Sequence, residues 1–242
     1  MWLLTTILFL LCRYGAGNVS WPYCSNVTML NGYPDVTSSI EQCIETIPSI
    51  MNPASYITGV PINVTISIAL NNLVFVDEVE GKAKVDFYLR LRWDEPRMNI
   101  SNLFDALNSN LGGEGIDLTD YYKLDQQKFP LAIFTPTIQF IDSDDTVEHA
   151  QAIRILPDGT MFWSRHISIT VFQPRFDYSE YPLDSQVIII RTEPYNYPDT
   201  MMSVHLPSSP KVFSFDASPI SSNDFTTDSI SYYYDPRILL IS

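Results

Sequence analysis

From residue 61 onward the chain alternates with a period of two. In Ile62-Asn63-Val64-Thr65-Ile66-Ser67-Ile68 apolar and polar positions take turns, which describes a strand with one dry and one wet face. Residues 83–93 alternate as regularly. Val85, Phe87, Leu89, Leu91 and Trp93 share one face, and Lys84, Asp86, Tyr88, Arg90 and Arg92 share the other. Further strand-like runs at 131–141, 150–155, 162–172 and 186–192, and another at 225–234, predict an all-β sandwich without a βαβ rhythm or internal repeat. Helical spacing occurs once, in Ile40, Cys43, Ile44, Ile47 and Met51, where Ser39 and Gln42 read as a capping box and Pro48 closes the helix near Ile47. Residues 99–117, rich in Asn, Gly and Asp, read as a long surface connection with a turn of helix around 103–107.

The amino terminus has a different character. Residues 2–12 form an apolar run too short to span a bilayer, and Gly15-Ala16-Gly17 supplies small residues for cleavage, so residues 1–17 read as a secretory signal. Asn-x-Ser/Thr sequons at Asn18, Asn26, Asn63 and Asn99 fit the same route, and Asn63 falls on the wet face of its strand. Cleavage removes Cys12 and leaves Cys24 and Cys43, which predict one disulfide in an oxidising compartment; two unrelated buried thiols are the alternative. Such a bond would stabilise the fold by roughly 3 kcal/mol on the chain-entropy view. The expected organisation is a signal (1–17), a segment with a helix (18–60) and the sandwich (61–242).

At 242 residues and 45% apolar content, the chain buries one substantial core and leaves no room for a second full domain. Twenty-eight acidic against fourteen basic residues give a net charge of −14, which repels phosphate backbones and sets nucleic acid aside. The same field concentrates cations and amines.

Residues 161–197 carry a resemblance. A strand with Ser164-Arg165 leads to Tyr181-Pro182-Leu183-Asp184 and Gln186, and a second strand ends in Glu193-Pro194-Tyr195-Asn196-Tyr197. This resembles the Cys-loop, or pentameric neurotransmitter-gated ion channel, family in its extracellular ligand-binding domain. The two cysteine positions of the family's loop fall on Pro174 and Ile188, so the signature disulfide cannot form and packing is expected to hold the loop. Trp93-Asp94-Glu95-Pro96-Arg97-Met98 is similar to the family's Trp-x-Asp-Pro-Arg-Leu. Pro136 and Phe140 echo another segment in which Phe134 and Thr137 replace a tryptophan and an aspartate, and Leu156-Pro157-Asp158-Gly159 resembles the hairpin that follows. The likeness runs from about Pro61 to Tyr197 and implies an immunoglobulin-like β-sandwich with a short helix before its first long strand.

In the resembled family five subunits form a ring, and a small neurotransmitter-like ligand sits between neighbours in an aromatic cage that holds its ammonium. The resemblance places Glu193, Tyr195 and Tyr197 on one side of that site. On the other it places Tyr88, Arg90 and Ser164, with the arginine suited to a ligand carboxylate. The ordinary alternative is that outward tyrosines and arginines pack against cross-strand neighbours. The resemblance further makes Asp77 and Glu78, with Tyr181, Pro182 and Asp184, the loops that pass ligand capture to a pore.

Enzymatic readings find no support. His149, His166 and His205 are scattered, no metal, phosphate or nucleophile motif is present, and no cofactor is expected. Asp142-Ser143-Asp144-Asp145 lacks the glycine and closing glutamate of a calcium loop and reads as a solvated turn, with calcium the alternative. A receptor subunit would continue into four apolar helices. The run Ile238-Leu239-Leu240-Ile241 is far too short for one, and the last strand of the outer sheet, with its aromatic loop, is expected to be missing. The membrane is then reached only through absent helices or partner subunits. A secreted ligand-binding protein of the same fold is the alternative, and an adhesion or lectin-like sandwich explains fewer motifs.

Overall fold

The computed structural model describes residues 29–31, 33–47, 52–98, 115–117, 133–156, 159–173, 176–179, 186–207, 230–232 and 238–241. Outside them lie the signal, Cys12, Cys24, the sequons at Asn18, Asn26 and Asn99, most of the 99–117 connection, and Tyr181, Pro182 and Asp184.

A short hairpin of β1 (Met29–Leu30) and β2 (Tyr33–Pro34) precedes helices α1 (Val36–Thr46) and α2 (Ser55–Thr58). The strands that follow are β3 (Ile62–Asp77), β4 (Lys82–Asp94), β5 (Ile116–Asp117), β6 (Ile138–Ile141), β7 (Ser143–Ile155), β8 (Thr160–Phe172), β9 (Ile188–Pro194), β10 (Met202–His205), β11 (Ile230–Tyr232) and β12 (Ile238–Ile241). They form a six-stranded sheet, β10-β3-β4-β8-β7-β5, and a four-stranded sheet, β11-β12-β9-β6. All pairings are antiparallel except β10 on β3. Two layers closing over one core make the immunoglobulin-like sandwich that the alternation predicts. Phe87 of β4 meets Phe140 of β6 edge to face at 5.6 Å, one of the contacts that join the sheets.

The alternation of β4 is exact in burial: Val85, Phe87, Leu89, Leu91 and Trp93 are buried, and the residues between them are not. β3 runs nine residues beyond the predicted stretch because register shifts between Leu70 and Asn72, and again between Leu73 and Phe75, break the period of two. β7 begins at Ser143, well before the predicted Ala150, because its first half is exposed, polar but for Val147, and carries no hydrophobic signal. The acidic run is therefore largely strand. Asp142, at φ 58°, makes the turn, while Asp144 and Asp145 pair with Lys82 at 3.8 Å and Lys84 at 3.5 Å. Of the described residues of the run 131–141, only Ile138–Ile141 is strand. The end of the expected surface connection is likewise strand, since β5 pairs with β7 and buries Ile116.

Helix α1 starts earlier than expected. Asp35 is its N-cap and accepts from Ser38 N at 3.3 Å, whereas Ser39 lies inside the first turn and donates Oγ to the Asp35 carbonyl at 2.6 Å. Its buried side is Ile40, Cys43, Ile44 and Ile47, as the spacing predicts. Cys43 is disulfide-bonded, and its partner lies outside the described residues.

The expectation of a missing outer strand is overturned. Residues 238–241 are that strand: β12 pairs with β9 in the register Ile238↔Arg191 to Ile241↔Ile188, and β11 pairs with β12. The apolar run is too short for a membrane helix, but four residues suffice for a sheet strand.

Candidate functional site

Strands β4 and β8 place three of the expected residues on one outward patch. Their register sets Tyr88 opposite His166 and Arg90 opposite Ser164. Tyr88 is 36% exposed, and the Arg90 guanidinium lies 5.9 Å from its ring centre. Among the described residues no carboxylate pairs with Arg90, although Arg165, Arg191 and Lys82 each have one. Among the described residues Arg92 and Arg154 lack a carboxylate as well, and Arg90 is the one whose guanidinium lies beside the outward Tyr88, which suits that patch to an anionic guest.

Sequence reasoning missed the polar cluster beneath Tyr88. The Tyr88 and His166 rings stack at 4.6 Å and 19°, and His166 Nε2 stands 2.8 Å from Asp86 Oδ1. Asp86 also accepts from Ser168 Oγ at 3.1 Å and Asn71 Nδ2 at 2.7 Å, and His149 Nε2 reaches Ser168 Oγ at 2.7 Å. Burial raises the Asp86 pKa, but the bonds from Asn71, His166 and Ser168, with the nearby imidazole, bring it below the ordinary value. The histidines looked scattered because 149 and 166 lie on neighbouring strands. Only the register shift between Glu148 and Ala150 brings their rings within 4.9 Å.

The second group lies on the other sheet. β9 ends at Glu193-Pro194, where Gln139 Nε2 donates to Glu193 Oε1. The following turn is tied to Thr137 by Tyr195 N at 3.0 Å and Asn196 Nδ2 at 3.4 Å. These bonds leave Tyr195 65% exposed. Tyr197 turns inward, meeting Phe134 edge-on at 5.5 Å, and burial followed by the charge of Tyr56 raises its hydroxyl pKa. Within one chain the Tyr88 group and the Tyr195 group thus stand on separate sheets, and Tyr197 is part of the packing.

The expected coupling loop joins β3 to β4. Asp77 Oδ1 caps it, accepting from Val79 N at 3.0 Å and Glu80 N at 2.9 Å, and leaves Val79 97% exposed. Gly81 closes it at φ 65°, where a Cβ would stand 3.3 Å from the Gln173 carbonyl oxygen. The segment after β8 docks on this turn through Gln173 N to Gly81 O at 2.7 Å and Tyr178 Oη to the Glu78 carbonyl at 3.1 Å. The neck of that segment is hydrogen-bonded, so packing alone does not hold it. Gln173 bonds the backbone of Ile189, and Gln186 bonds Asp177 N at 2.9 Å and Asp177 O at 2.8 Å. These glutamines close the loop whose cysteine positions are taken by Pro174 and Ile188.

Among the described residues no group of three His, Cys, Asp or Glu side chains is placed to hold a metal ion, and no helix is long and apolar enough to cross a membrane. The chain matches the neurotransmitter-gated ion-channel ligand binding domain over residues 40–236. It is 27% identical over 154 residues to the gamma-aminobutyric acid receptor subunit rho-2 of Homo sapiens, covering 62% of this chain and 29% of that protein. It is 25% identical over 142 residues to the glycine receptor subunit beta of Homo sapiens, covering 57% of this chain and 26% of that protein. The chain thus spans under a third of the length of these relatives. Receptors of this kind are not enzymes. With most of its length matched and the sandwich in place, the chain belongs to the family of neurotransmitter-gated ion-channel ligand-binding domains.

Proposed function

We propose that this chain is the extracellular ligand-binding part of a receptor subunit that captures a small amine carrying a carboxylate between two subunits of a homo- or hetero-pentamer. Arg90 carries the reading: it is outward, beside Tyr88 and opposite Ser164, and has no carboxylate partner among the described residues. A ligand carboxylate would take that place, and the exposed Tyr195 of the neighbouring subunit, with Glu193, would face the ammonium. The names of the relatives, receptors for gamma-aminobutyric acid and for glycine, support this ligand class. Capture would be passed on by the turn at Asp77 and Glu78 and the loop holding Tyr181, Pro182 and Asp184. Passage through the secretory pathway, with the Cys43 bond and sequon glycans, would deliver the domain to the cell surface.

The test is binding of γ-aminobutyrate and glycine to the chain as cells release or display it. R90A and Y195A are expected to abolish binding of whichever probe the wild type takes, while Y56A on the surface leaves it intact. Binding that survives both substitutions would overturn the assignment. A product that binds but has no membrane-bound form would replace gating with soluble capture.

A further inference from the structure

Hydrogen-bond bookkeeping fixes the inner part of the cluster beneath Tyr88. Asp86, held ionised by its surroundings, only accepts, so the single proton of the Ser168 hydroxyl points at Oδ1. Ser168 Oγ must then accept from His149, which fixes that imidazole with its proton on Nε2. His166 Nε2 lies 2.8 Å from Asp86 Oδ1 in a contact that has the distance but not the geometry of a hydrogen bond, and it fixes no tautomer. Four strands contribute: Asn71 from β3, Asp86 and Tyr88 from β4, His149 from β7, and His166 and Ser168 from β8. Asn71, Ser168 and His166 thus reach Asp86 from three residues, which sets the His166 ring beside the carboxylate.

That orientation has a purpose on the outer side. A tyrosine on a wet sheet face swings between rotamers unless something holds its ring. Tyr88 has its ring laid nearly parallel on His166, with the Arg90 guanidinium also beside it. We propose that His166 is a positioning residue of the ligand face: buttressed by Asp86, and flanked by His149, it fixes the plane of the Tyr88 ring against which ligand is received. The ligand part of this inference rests on the proposed function above, whereas the positioning part does not.

The experiment therefore has two readouts on the chain carrying isotope-labelled tyrosine. Without any ligand, H166A is expected to move the Tyr88 ring resonances and H166F, which keeps a ring but no donor, to restore them in large part. D86N is expected to move them as well, while the tyrosines outside the patch stay in place. With γ-aminobutyrate as probe, H166A is expected to weaken binding about tenfold, the scale of a lost aromatic pair, and H166F to recover most of it. Tyr88 resonances unchanged in H166A would overturn the positioning role even if the probe binds. Moved resonances, with no probe bound by the wild-type chain, would leave the positioning role standing and remove the ligand reading instead.

Discussion

The side-chain amide of Gln173 is bonded twice to the backbone of Ile189: Nε2 donates to the carbonyl at 3.3 Å and Oε1 accepts from the amide at 2.8 Å. A glutamine here imitates one rung of a β-ladder, and Gln186 repeats the device on Asp177 nine residues apart in sequence. Replacing Gln173 by alanine leaves both backbone groups of a part-buried residue without these partners, at a cost of about 1–3 kcal/mol. Urea unfolding of Q173A and of Q173E, which keeps the acceptor and loses the donor, should show alanine as the larger loss. Equal stability of wild type and Q173A would show that packing alone closes the neck.

The Glu95 and Arg97 side chains are buried and joined in two places, Nε to Oε1 at 2.6 Å and a terminal nitrogen to Oε2 at 2.6 Å. Arg97 also donates to the Asn52 carbonyl at 2.8 Å, so the pair ties the strand end to the segment ahead of β3. R97A strands a buried carboxylate and is expected to cost about 3–5 kcal/mol. The double variant E95L/R97M should regain part of that loss in thermal unfolding. If it proved no better than R97A, the pair's value would lie in the Asn52 contact and not in its charges.

Asp86 makes stability depend on pH in a defined direction. Its folded pKa is depressed, so its contribution is present above the unfolded carboxylate value and is lost as pH falls through the folded one. The melting-temperature gap between wild type and D86N should close as pH falls below about 4. A gap that kept its size across that acid range would mean the asparagine disrupts the fold by shape and not by charge.

Cys43 is bonded in the structure, and Cys24 is its expected partner after removal of Cys12. Peptide mapping of the secreted, non-reduced chain should recover a single cross-linked pair joining the peptides of Cys24 and Cys43. Reduction should then lower stability by about 3 kcal/mol. A Cys12–Cys43 pair would instead show that residues 1–17 are retained.

The strands whose faces differ were legible in the sequence, and those bathed on both sides were not. Val85 to Trp93 announced β4 because every second residue is buried, and α1 was visible in Ile40, Cys43, Ile44 and Ile47 for the same reason. The first half of β7 offered exposed side chains, polar but for Val147, and its place is set by pairing with β8. At the site, Tyr88, Arg90 and Ser164 could be brought together from alternation and family likeness, since a regular antiparallel register preserves both. Asp86 and His166 lie on the same regular β4–β8 register, but His149 joins them only through a register shift that no local pattern encodes.

The two irregularities of β3 carry a consequence for how this chain can vary. Leu70 and Leu73 are buried although they are three apart, and Val76, three further on, again packs against the core, opposite Ala83. Each extra residue shifts the numbering of the dry face by one, and the second undoes the first, so Asp77 emerges on the same side as Asn63. Asn71 and Val74 are the extra residues that no β4 position opposes, so losing either would leave Asn72 opposite Asp86, Phe75 opposite Lys84 and Asp77 opposite Lys82, with the Asp77 carboxylate still capping the turn to Glu80. Natural variants should therefore be able to gain or lose these insertions one at a time. Along β3, single-residue length changes are absorbed at these two bulges, whereas elsewhere in the strand they would turn every later side chain to the other face.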